Sequence, residues 1–321
     1  MKVALRSFSL PLVRPLHSAL GEVHDRKGFW LSLAEGPDQV HGEACPMPGF
    51  SPDDVDMAGG ALEHAGRMLE AGLFPDSVAA IADMSAVFPS PAAAHALEQV
   101  LLGRLARIRG VGVADLLGTK CREFVPRSIL VADAADAARA VAGGATAVKL
   151  KVGKLEVEAE LAMVAAVRAA IGPDCDLRLD ANGAWDLEQA RHRMQRLASL
   201  DIASFEDPVL APSDFASLAS VGIPLAVDMP LTCGEALDDF LDVGVSAVVV
   251  KPMVVGGLVA AMDLLRTATK HGAAGIVTTV IEGRVGRAGA EAVALAAPDP
   301  LWPCGLDTGG WLAEDPLPEP L

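Results

Sequence analysis

Five charged residues stand where short apolar segments end in the second half of the chain. They are Lys151, Asp180, Glu206, Asp228 and Lys251, and the intervals between them are 29, 26, 22 and 23 residues. This spacing is close to one strand–helix unit per charge, since the eight units of a (β/α)8 barrel take ~250 residues. If the segments are parallel strands, their charged ends meet at one edge of a sheet and can form a site.

Three of the five residues are carboxylates that end consecutive apolar segments: Asp180, Glu206 and Asp228. Any one of them alone is equally well explained as a helix N-cap or a solvated loop residue. Three carboxylates that converge repel one another unless a cation lies between them. Because ligands that are all oxygen suit a hard divalent ion, the trio predicts a metal site for Mg²⁺ first, with Mn²⁺ as the second choice.

Lysines flank this predicted metal site. Lys149 and Lys151 are two residues apart, and such residues point to the same side of a strand. Lys251 follows the apolar run Ala247–Val250. In a barrel the two lysine-bearing strands lie across from each other, so Lys151 and Lys251 would face each other across the metal. That arrangement suits removal of a proton next to a carboxylate, with the metal stabilising the enediolate and one lysine acting as the base.

Four further residues are candidates to contact substrate or to support the site. Arg178 lies two residues before Asp180 and Asn182 two after it, so all three share one face of the strand. We expect Arg178 and Asn182 to brace the site rather than to react. Thr279 and Glu282 close the sixth apolar segment. The glycines that follow predict either an anion site of backbone amides at a helix N-terminus or a tight turn with close helix packing: Gly283, Gly286 and Gly289.

Composition narrows the class of protein. The 321 residues carry a formal net charge of -16 at pH 7, which repels phosphate and argues against nucleic acid and anionic membranes as partners. The longest apolar runs are too short to cross a bilayer, and residues 1–20 lack the apolar core of a signal peptide. The cysteines are odd in number, without CxxC spacing, as is typical of thiols in a reducing compartment. We therefore expect a cytoplasmic protein.

The pattern of strands and helices changes along the chain. The first part has strands followed by helices, with a loop at 21–28, which is typical of an α+β domain. The second part alternates strands with helices and predicts a parallel sheet, with strands at 147–152, 176–180, 202–206, 224–228, 246–251 and 275–280. Charged ends on strand after strand favour a closed barrel over an open doubly wound sheet. The barrel then needs two more strands, from 125–130 and 300–310.

These motifs resemble those of the enolase superfamily, in its muconate-lactonizing-enzyme-like branch. The residues that carry the resemblance are Lys149-Leu150-Lys151, Asp180-Ala181-Asn182, Phe205-Glu206-Asp207-Pro208, Asp228 and Lys251-Pro252. Within the branch the chain is most similar to the o-succinylbenzoate synthases, through Arg14-Pro15-Leu16, residues 42–51 and Gly305-Leu306-Asp307-Thr308-Gly309. The resemblance covers nearly the whole chain.

For the fold, the resemblance implies an α/β protein in which an α+β capping domain covers a modified (β/α)7β TIM-like barrel. The capping domain would span residues 1–120, and the barrel, residues 121–310, would carry the metal and the catalytic groups. The final segment, 311–321, is a candidate to pack back on the capping domain.

For the chemistry, the resemblance implies Mg²⁺ on Asp180, Glu206 and Asp228. Lys151 would be the base, and Lys251 would hold the enediolate from the opposite face by a cation–π contact. The substrate would be a small carboxylate, a succinyl-hydroxycyclohexadiene carboxylate. Its syn dehydration yields o-succinylbenzoate in menaquinone biosynthesis and is driven by aromatisation.

Two departures from the family pattern leave the substrate open. Met229 follows Asp228 where many relatives carry a second acid, and Thr278-Thr279 stands where relatives often have serines. A racemase of N-acylamino acids or an epimerase of dipeptides would use the same machinery. A metal-independent Schiff-base lyase that uses Lys251 and a binding protein without activity are further alternatives. The sequence also leaves open whether the chain forms a homo-oligomer.

Overall fold

The computed structural model describes three stretches of the chain, residues 1–18, 21–232 and 236–321. Within them the chain forms an antiparallel sheet with four helices, followed by a parallel sheet whose strands alternate with helices. None of the helices in these stretches is long and apolar enough to cross a membrane.

The chain begins with a three-stranded antiparallel sheet, in the order β1 (Lys2–Ser18), β2 (Gly21–Glu35) and β3 (Asp38–Ala44). The predicted loop at 21–28 is wrong, because these residues begin β2 and pair with β1. Gly28 misled the prediction. A Cβ at this position would lie 2.2 Å from the carbonyl oxygen of Ala44, so the glycine allows close approach between strands and does not mark a turn.

Four helices follow this sheet: α1 (Val55–Glu70), α2 (Val78–Ser85), α3 (Pro91–Arg109) and α4 (Val113–Leu117). The first three begin at Asp54, Ser77 and Ser90, whose side-chain oxygens accept the backbone N–H three residues on. Helix α3 ends at Gly110, which takes the left-handed conformation typical of a helix C-terminus. Most of α3 is buried, because it lies between β3 and the second part of the chain.

The second part contains seven parallel strands that pair in chain order: β4 (Ile129–Val131), β5 (Ala147–Lys151), β6 (Asp176–Asp180), β7 (Ile202–Glu206), β8 (Leu225–Val227), β9 (Ala247–Val250) and β10 (Ala274–Val277). The helices between and after them are α5 (Ala134–Ala142), α6 (Val157–Ile171), α7 (Leu187–Leu197), α8 (Pro212–Leu218), α9 (Met229–Thr232), α10 (Leu237–Asp242), α11 (Leu258–Lys270) and α12 (Arg284–Ala296). Short 3₁₀ helices lie at Ala198–Leu200, Ala219–Val221 and Gly309–Trp311.

An extended segment at 301–305 closes the sheet into a barrel. Cys304 forms a parallel bridge with Arg127 just before β4, and Gly305 forms one with Thr278 just after β10. The segment therefore occupies the eighth position, between the two edge strands. The predicted fold is confirmed as a modified (β/α)7β barrel with an α+β capping part. Of the two strands expected at 125–130 and 300–310, the first is the short β4, which starts and ends later than expected, and the second is held by isolated bridges.

The barrel strands are buried on both faces. Alternate residues of β8, β9 and β10 point inward and pack with Trp302: Ala226, Ala247, Val249, Ala274 and Ile276. The other residues of these strands pack outward against the helices. This burial explains why the strands are nearly continuous apolar runs.

Carboxylates from the first part of the chain bind the N-termini of two barrel helices. Glu43 of β3 accepts the N–H groups of Gly283 and Gly286 at 2.6 and 2.9 Å, and Glu98 of α3 accepts that of Val259 at 2.9 Å. A carboxylate suits the positive end of a helix dipole. The amides predicted as an anion site therefore bind a carboxylate of the chain itself.

The sequence also predicted close helix packing after this glycine-rich turn, and the structure supports that prediction. A Cβ at Gly289 would lie 2.6 Å from the side-chain nitrogen of Gln99, so α12 approaches α3 closely. At the end of the chain, Leu312 bridges Leu12, and the N–H of Ala313 donates to Pro11 at 2.8 Å. The final segment thus contacts β1.

Candidate active site

A cavity of about 720 Å³ lies at the carboxyl ends of the barrel strands, beneath the capping part. The capping part contributes Arg14, Leu16, Met47 and Phe50 to its lining. The barrel contributes residues at or just beyond the ends of its strands. The cavity is therefore formed by both parts of the chain, at the barrel face where active sites form in this architecture.

The three predicted ligands stand side by side in this cavity. Asp180 ends β6, Glu206 ends β7 and pairs with Asp180 in register, and Asp228 follows β8. All three side chains are buried, and each lines the cavity. Asp228 comes two residues after Ala226, the residue that pairs with Glu206, so three adjacent strand ends bring the carboxyl groups into one cavity.

Lys149 lies between two of these carboxylates. Its Nζ is 2.8 Å from Oδ2 of Asp180 and 2.6 Å from Oε1 of Glu206. Burial alone would lower the pKa of Lys149, but the charges of Asp180, Glu206 and Asp228 outweigh it and raise that pKa. Lys149 is therefore a fixed positive charge in the wall of the cavity.

The pKa values of the two partners of Lys149 move in opposite directions. Burial would raise the pKa of Asp180, but the charges of Lys149 and Lys151 lower it. Burial, together with the charges of Asp180 and Asp228, raises the pKa of Glu206 to about 7 against the pull of Lys149. Repulsion from the two other carboxylates thus contributes to the raised pKa of Glu206, and a cation bound among the three carboxylates would relieve this repulsion.

Lys151 occupies one flank of the trio. Its Nζ donates to Oδ1 of Asn182 at 2.5 Å and lies 3.5 Å from Oδ2 of Asp180. Its side chain is 40% exposed, so the ammonium reaches the cavity. Asn182 has a φ of +48°, and its N–H donates to Oδ1 of Asp180 at 3.0 Å. The turn after β6 thus orients both the carboxylate and the partner of the lysine.

Lys251 occupies the other flank. It follows β9, its side chain is nearly buried, and its Nζ pairs with Oδ1 of Asp228. Strands β5 and β9 are separated by β6, β7 and β8, the strands that carry the trio. The structure therefore has a lysine at each side of three carboxylates.

The other predicted residues take different places. Arg178 lines the cavity and donates to the carbonyl of Pro303 at 2.7 Å. Thr279 lines the cavity, with its hydroxyl 2.7 Å from that of Thr308. Glu282 lies outside the cavity lining, where its carboxylate accepts the N–H of Val280 at 2.6 Å. It therefore stands behind the cavity wall.

Sequence reasoning missed three residues that the structure brings to the site. Lys154 and Arg14 line the cavity, and the Arg14 guanidinium stacks 4.3 Å from the ring centre of Trp311. Asp207, next to Glu206, is fully buried and binds backbone N–H groups. The acid following Glu206 in the sequence was the only available signal for Asp207. Arg14, in β1, was marked only by the motif Arg14-Pro15-Leu16, and Lys154, in the loop after β5, had no signal.

The donor set fits a hard divalent cation by type, since all three groups are carboxylates. Among the described residues, no three His, Cys, Asp or Glu side chains are gathered closely enough to form a ready-made metal cluster. Lysines account for this, because Lys149 bridges Asp180 and Glu206 while Lys251 holds Asp228. A cation would compete with these ammonium groups for the same oxygens.

Known proteins resemble this chain in sequence. The Enolase C-terminal domain-like family matches residues 132–321. An o-succinylbenzoate synthase from Thermobifida fusca is 35% identical over 192 residues, which are 58% of this chain and 59% of that protein, less than two thirds of its length. A hydrophobic dipeptide epimerase from Roseobacter litoralis is 30% identical over 310 residues, which are 92% of this chain and 86% of that protein.

Solved structures share the fold. A dipeptide epimerase from Enterococcus faecalis, complexed with Mg and the dipeptide L-Leu-L-Tyr, superposes with a TM-score of 0.84 at 23% identity, over 98% of this chain and 92% of that one. The family match covers more than half of the chain, and the epimerase relative extends over nearly all of it. The chain belongs to the enolase superfamily, in its muconate-lactonizing-enzyme-like branch.

Proposed function

We propose that the chain is a Mg²⁺-dependent carbon–oxygen lyase that dehydrates a succinyl-hydroxycyclohexadiene carboxylate to o-succinylbenzoate. The observation that carries the proposal is the position of Lys151 and Lys251 on opposite flanks of a buried carboxylate trio in one cavity. This arrangement suits removal of a proton next to a carboxylate. The pathway, menaquinone biosynthesis, and a cytoplasmic location are part of the proposal.

Asp180, Glu206 and Asp228 are the residues we propose to hold the metal. Mg²⁺ is the first candidate, and Mn²⁺ accepts the same oxygen donors. Such an ion, when bound, stabilises the negative charge that develops on the substrate carboxylate as the α-proton leaves. The charge of Lys149 adds to this stabilisation, because its ammonium already contacts two of the three carboxylates.

Lys151 is the proposed base. In its neutral form it takes the α-proton, and the resulting ammonium keeps Asn182 as a hydrogen-bond acceptor at 2.5 Å. In a syn dehydration the leaving hydroxyl departs from the face that loses the proton. Lys151 can therefore return the same proton to the departing oxygen, so that water leaves and the ring becomes aromatic. One lysine and one proton suffice for these two reaction steps.

Lys251 has the complementary role. Its ammonium is nearly buried and paired with Asp228, at the opposite flank from Lys151. From there it faces the enediolate with a positive charge and contributes electrostatic stabilisation of the intermediate. Its cation–π contact with the ring is part of the proposal.

The charge of the cavity supports a substrate with two carboxylates. Among the described lining residues, six are cationic and four are acidic. The cationic residues are Arg14, Lys149, Lys151, Lys154, Arg178 and Lys251, and the acidic ones are the trio and Asp307. Asp307 is already paired with Arg127 at 3.0 Å. A dipeptide brings an ammonium group that such a lining repels, whereas the cyclohexadiene substrate brings a ring carboxylate and a succinyl carboxylate.

A racemase of N-acylamino acids or an epimerase of dipeptides is the second candidate function. A lysine on each flank favours it, because inversion at a stereocentre needs a base on one face and an acid on the other. A relative named as a hydrophobic dipeptide epimerase, which is 30% identical to this chain, also supports the second candidate.

Turnover of both substrate classes in D2O, followed by proton NMR, separates the two functions. We expect Mg²⁺-dependent formation of o-succinylbenzoate. Exchange of the α-proton of an N-acylamino acid or a dipeptide, without turnover of the cyclohexadiene substrate, would contradict the synthase proposal and support the second candidate. A carbonyl substrate trapped on Lys251 by borohydride despite EDTA would contradict both.

A further inference from the structure

Asp207 sits in an unusual backbone conformation next to the proposed metal site. It follows Glu206 at the end of β7 and is fully buried, yet it lies outside the cavity lining. Its φ is +43°, a region that residues other than glycine seldom adopt. Pro208 comes next and further restricts the backbone of Asp207. A residue in such a conformation is held there by its surroundings.

The side chain of Asp207 binds the end of the neighbouring strand. Oδ1 accepts the N–H of Asp228 at 2.9 Å, and Oδ2 accepts the N–H of Met229 at 2.7 Å. The backbone N–H of Asp207 donates to the carbonyl of Ala226 in β8 at 3.0 Å. Three hydrogen bonds thus tie this residue to the strand end that presents the third proposed ligand.

The backbone of Asp207 also binds the strand end on its other side. Its carbonyl accepts the N–H of Gly183 at 2.8 Å, in the turn that follows β6. The preceding carbonyl, of Glu206, accepts the N–H of Ala181 at 3.1 Å. The turn between these two bonds contains Asn182, whose N–H orients the first ligand, Asp180. Asp207 is therefore bonded to the backbone on both sides of the ligand it follows.

We propose that Asp207 is a positioning residue that sets the spacing of all three carboxylates, Asp180, Glu206 and Asp228, and so sets the affinity of the site for a divalent cation. It touches neither the cavity nor a reacting atom and acts only through the backbone of three adjacent strand ends. This inference rests on the proposed function, which assigns the metal to those carboxylates. Groups that orient metal ligands from behind typically change metal affinity about 10- to 100-fold when they are replaced.

The test compares Asp207→Asn with wild type and with a matched control. In Asp207→Asn one oxygen becomes an NH2 group, which cannot accept a hydrogen bond, so one of the two amides loses its acceptor. Asp201 is the control, because it also has a positive φ, of +51°, and lies just before β7, at the end far from the site. Mn²⁺ binding is measured by EPR on each folded protein, well below its unfolding temperature.

We expect Asp207→Asn to raise the Kd for Mn²⁺ about 10- to 100-fold, and Asp201→Asn to leave it within about twofold of wild type. Excess Mg²⁺ should restore most of the kcat of Asp207→Asn, because the defect is one of affinity. A merely structural role would lower the unfolding temperature and leave the Kd unchanged. An unchanged Kd for Asp207→Asn overturns the inference alone, whereas a wild type that binds no Mn²⁺ overturns the proposed function as well.

A second measurement needs no variant and decides the case if Asp207→Asn does not fold. If Asp207 positions the ligands in advance, the amides of Asp228 and Met229 are protected from hydrogen exchange in the metal-free wild type. Rapid exchange of both amides without metal, with protection appearing only when Mg²⁺ is added, would show that the cation orders this strand end, and would overturn the inference.

Discussion

Glu282→Gln should make the protein more stable at alkaline pH and leave it unaltered at acid pH. Glu282 is 1% exposed, and its carboxylate accepts the N–H of Val280 at 2.6 Å. Burial first, and then the nearby charge of Glu43, raises the pKa of Glu282 from its ordinary 4.5 to about 7. The folded protein therefore binds this proton more tightly than the unfolded chain does.

The sign and the size of the effect follow from proton linkage. Because folding raises this pKa, the free energy of unfolding of the wild type falls as the pH rises from about 4.5 to about 7. A tenfold change in proton affinity is worth ~1.4 kcal/mol, so ionised Glu282 costs roughly 3 kcal/mol above about pH 8. Glutamine stays neutral and keeps an oxygen that accepts from Val280. We expect a gain of about 3 kcal/mol near pH 8.5 and almost none near pH 4.

Urea unfolding followed by tryptophan fluorescence measures this difference at both pH values. Glu63→Gln is the matched control, since Glu63 lies exposed on α1 and should change stability little at either pH. Because Glu282 lies outside the cavity lining, its variant should also keep kcat/KM within about threefold of wild type, well under the 10²–10⁴-fold loss expected for an acid–base residue. An equal gain at both pH values, or no gain, would show that ionised Glu282 does not destabilise the folded protein.

Three further predictions concern the lysine base, its partner and the contact between the two parts of the chain. Lys151→Ala should lower kcat/KM by about 10²–10⁴-fold, with an unfolding temperature close to that of wild type; near-normal turnover would exclude Lys151 as the base. Asn182→Ala should lower kcat about tenfold, because Lys151 loses the acceptor that orients it, worth about 1.4 kcal/mol; an unchanged kcat would remove Asn182 from the site. Glu98→Ala should lower the free energy of unfolding by about 1–3 kcal/mol, because the buried N–H of Val259 loses its acceptor and the hydroxyl of Ser85 keeps only the carbonyl of Ala82; urea unfolding measures it, and a loss under about 0.5 kcal/mol would contradict it.

Much of the barrel could be predicted from the sequence because its strands are short apolar runs at nearly regular intervals. The closing segment at 301–305 was expected, within 300–310, only because the barrel needed an eighth strand; it lacks a strand pattern of its own, since isolated bridges hold it and Pro303 interrupts it. The start of β2 could not be predicted, because its pairing depends on tertiary contacts. Gly28 is typical of turns, but here it allows the close approach of β3, which only the tertiary structure reveals.

The grouping of the candidate site residues in one cavity also follows from local pattern, since residues at the ends of parallel strands meet at one edge. Local pattern does not show which lysine pairs with which carboxylate. The sequence does not say that Lys149 bridges two carboxylates while Lys251 holds the third. Nor does it say that Glu282 lies outside the cavity lining, in a turn whose backbone binds Arg26 of β2 and Glu43 of β3.

The most direct test of the central claim is turnover of the cyclohexadiene substrate by wild-type protein that has been treated with a chelator and then supplied with Mg²⁺. We expect no o-succinylbenzoate without metal, formation when Mg²⁺ or Mn²⁺ is added, and no recovery in Asp180→Asn at the same metal concentration. Turnover that persists in the chelator, or that Asp180→Asn retains, would contradict metal-assisted proton abstraction at this site.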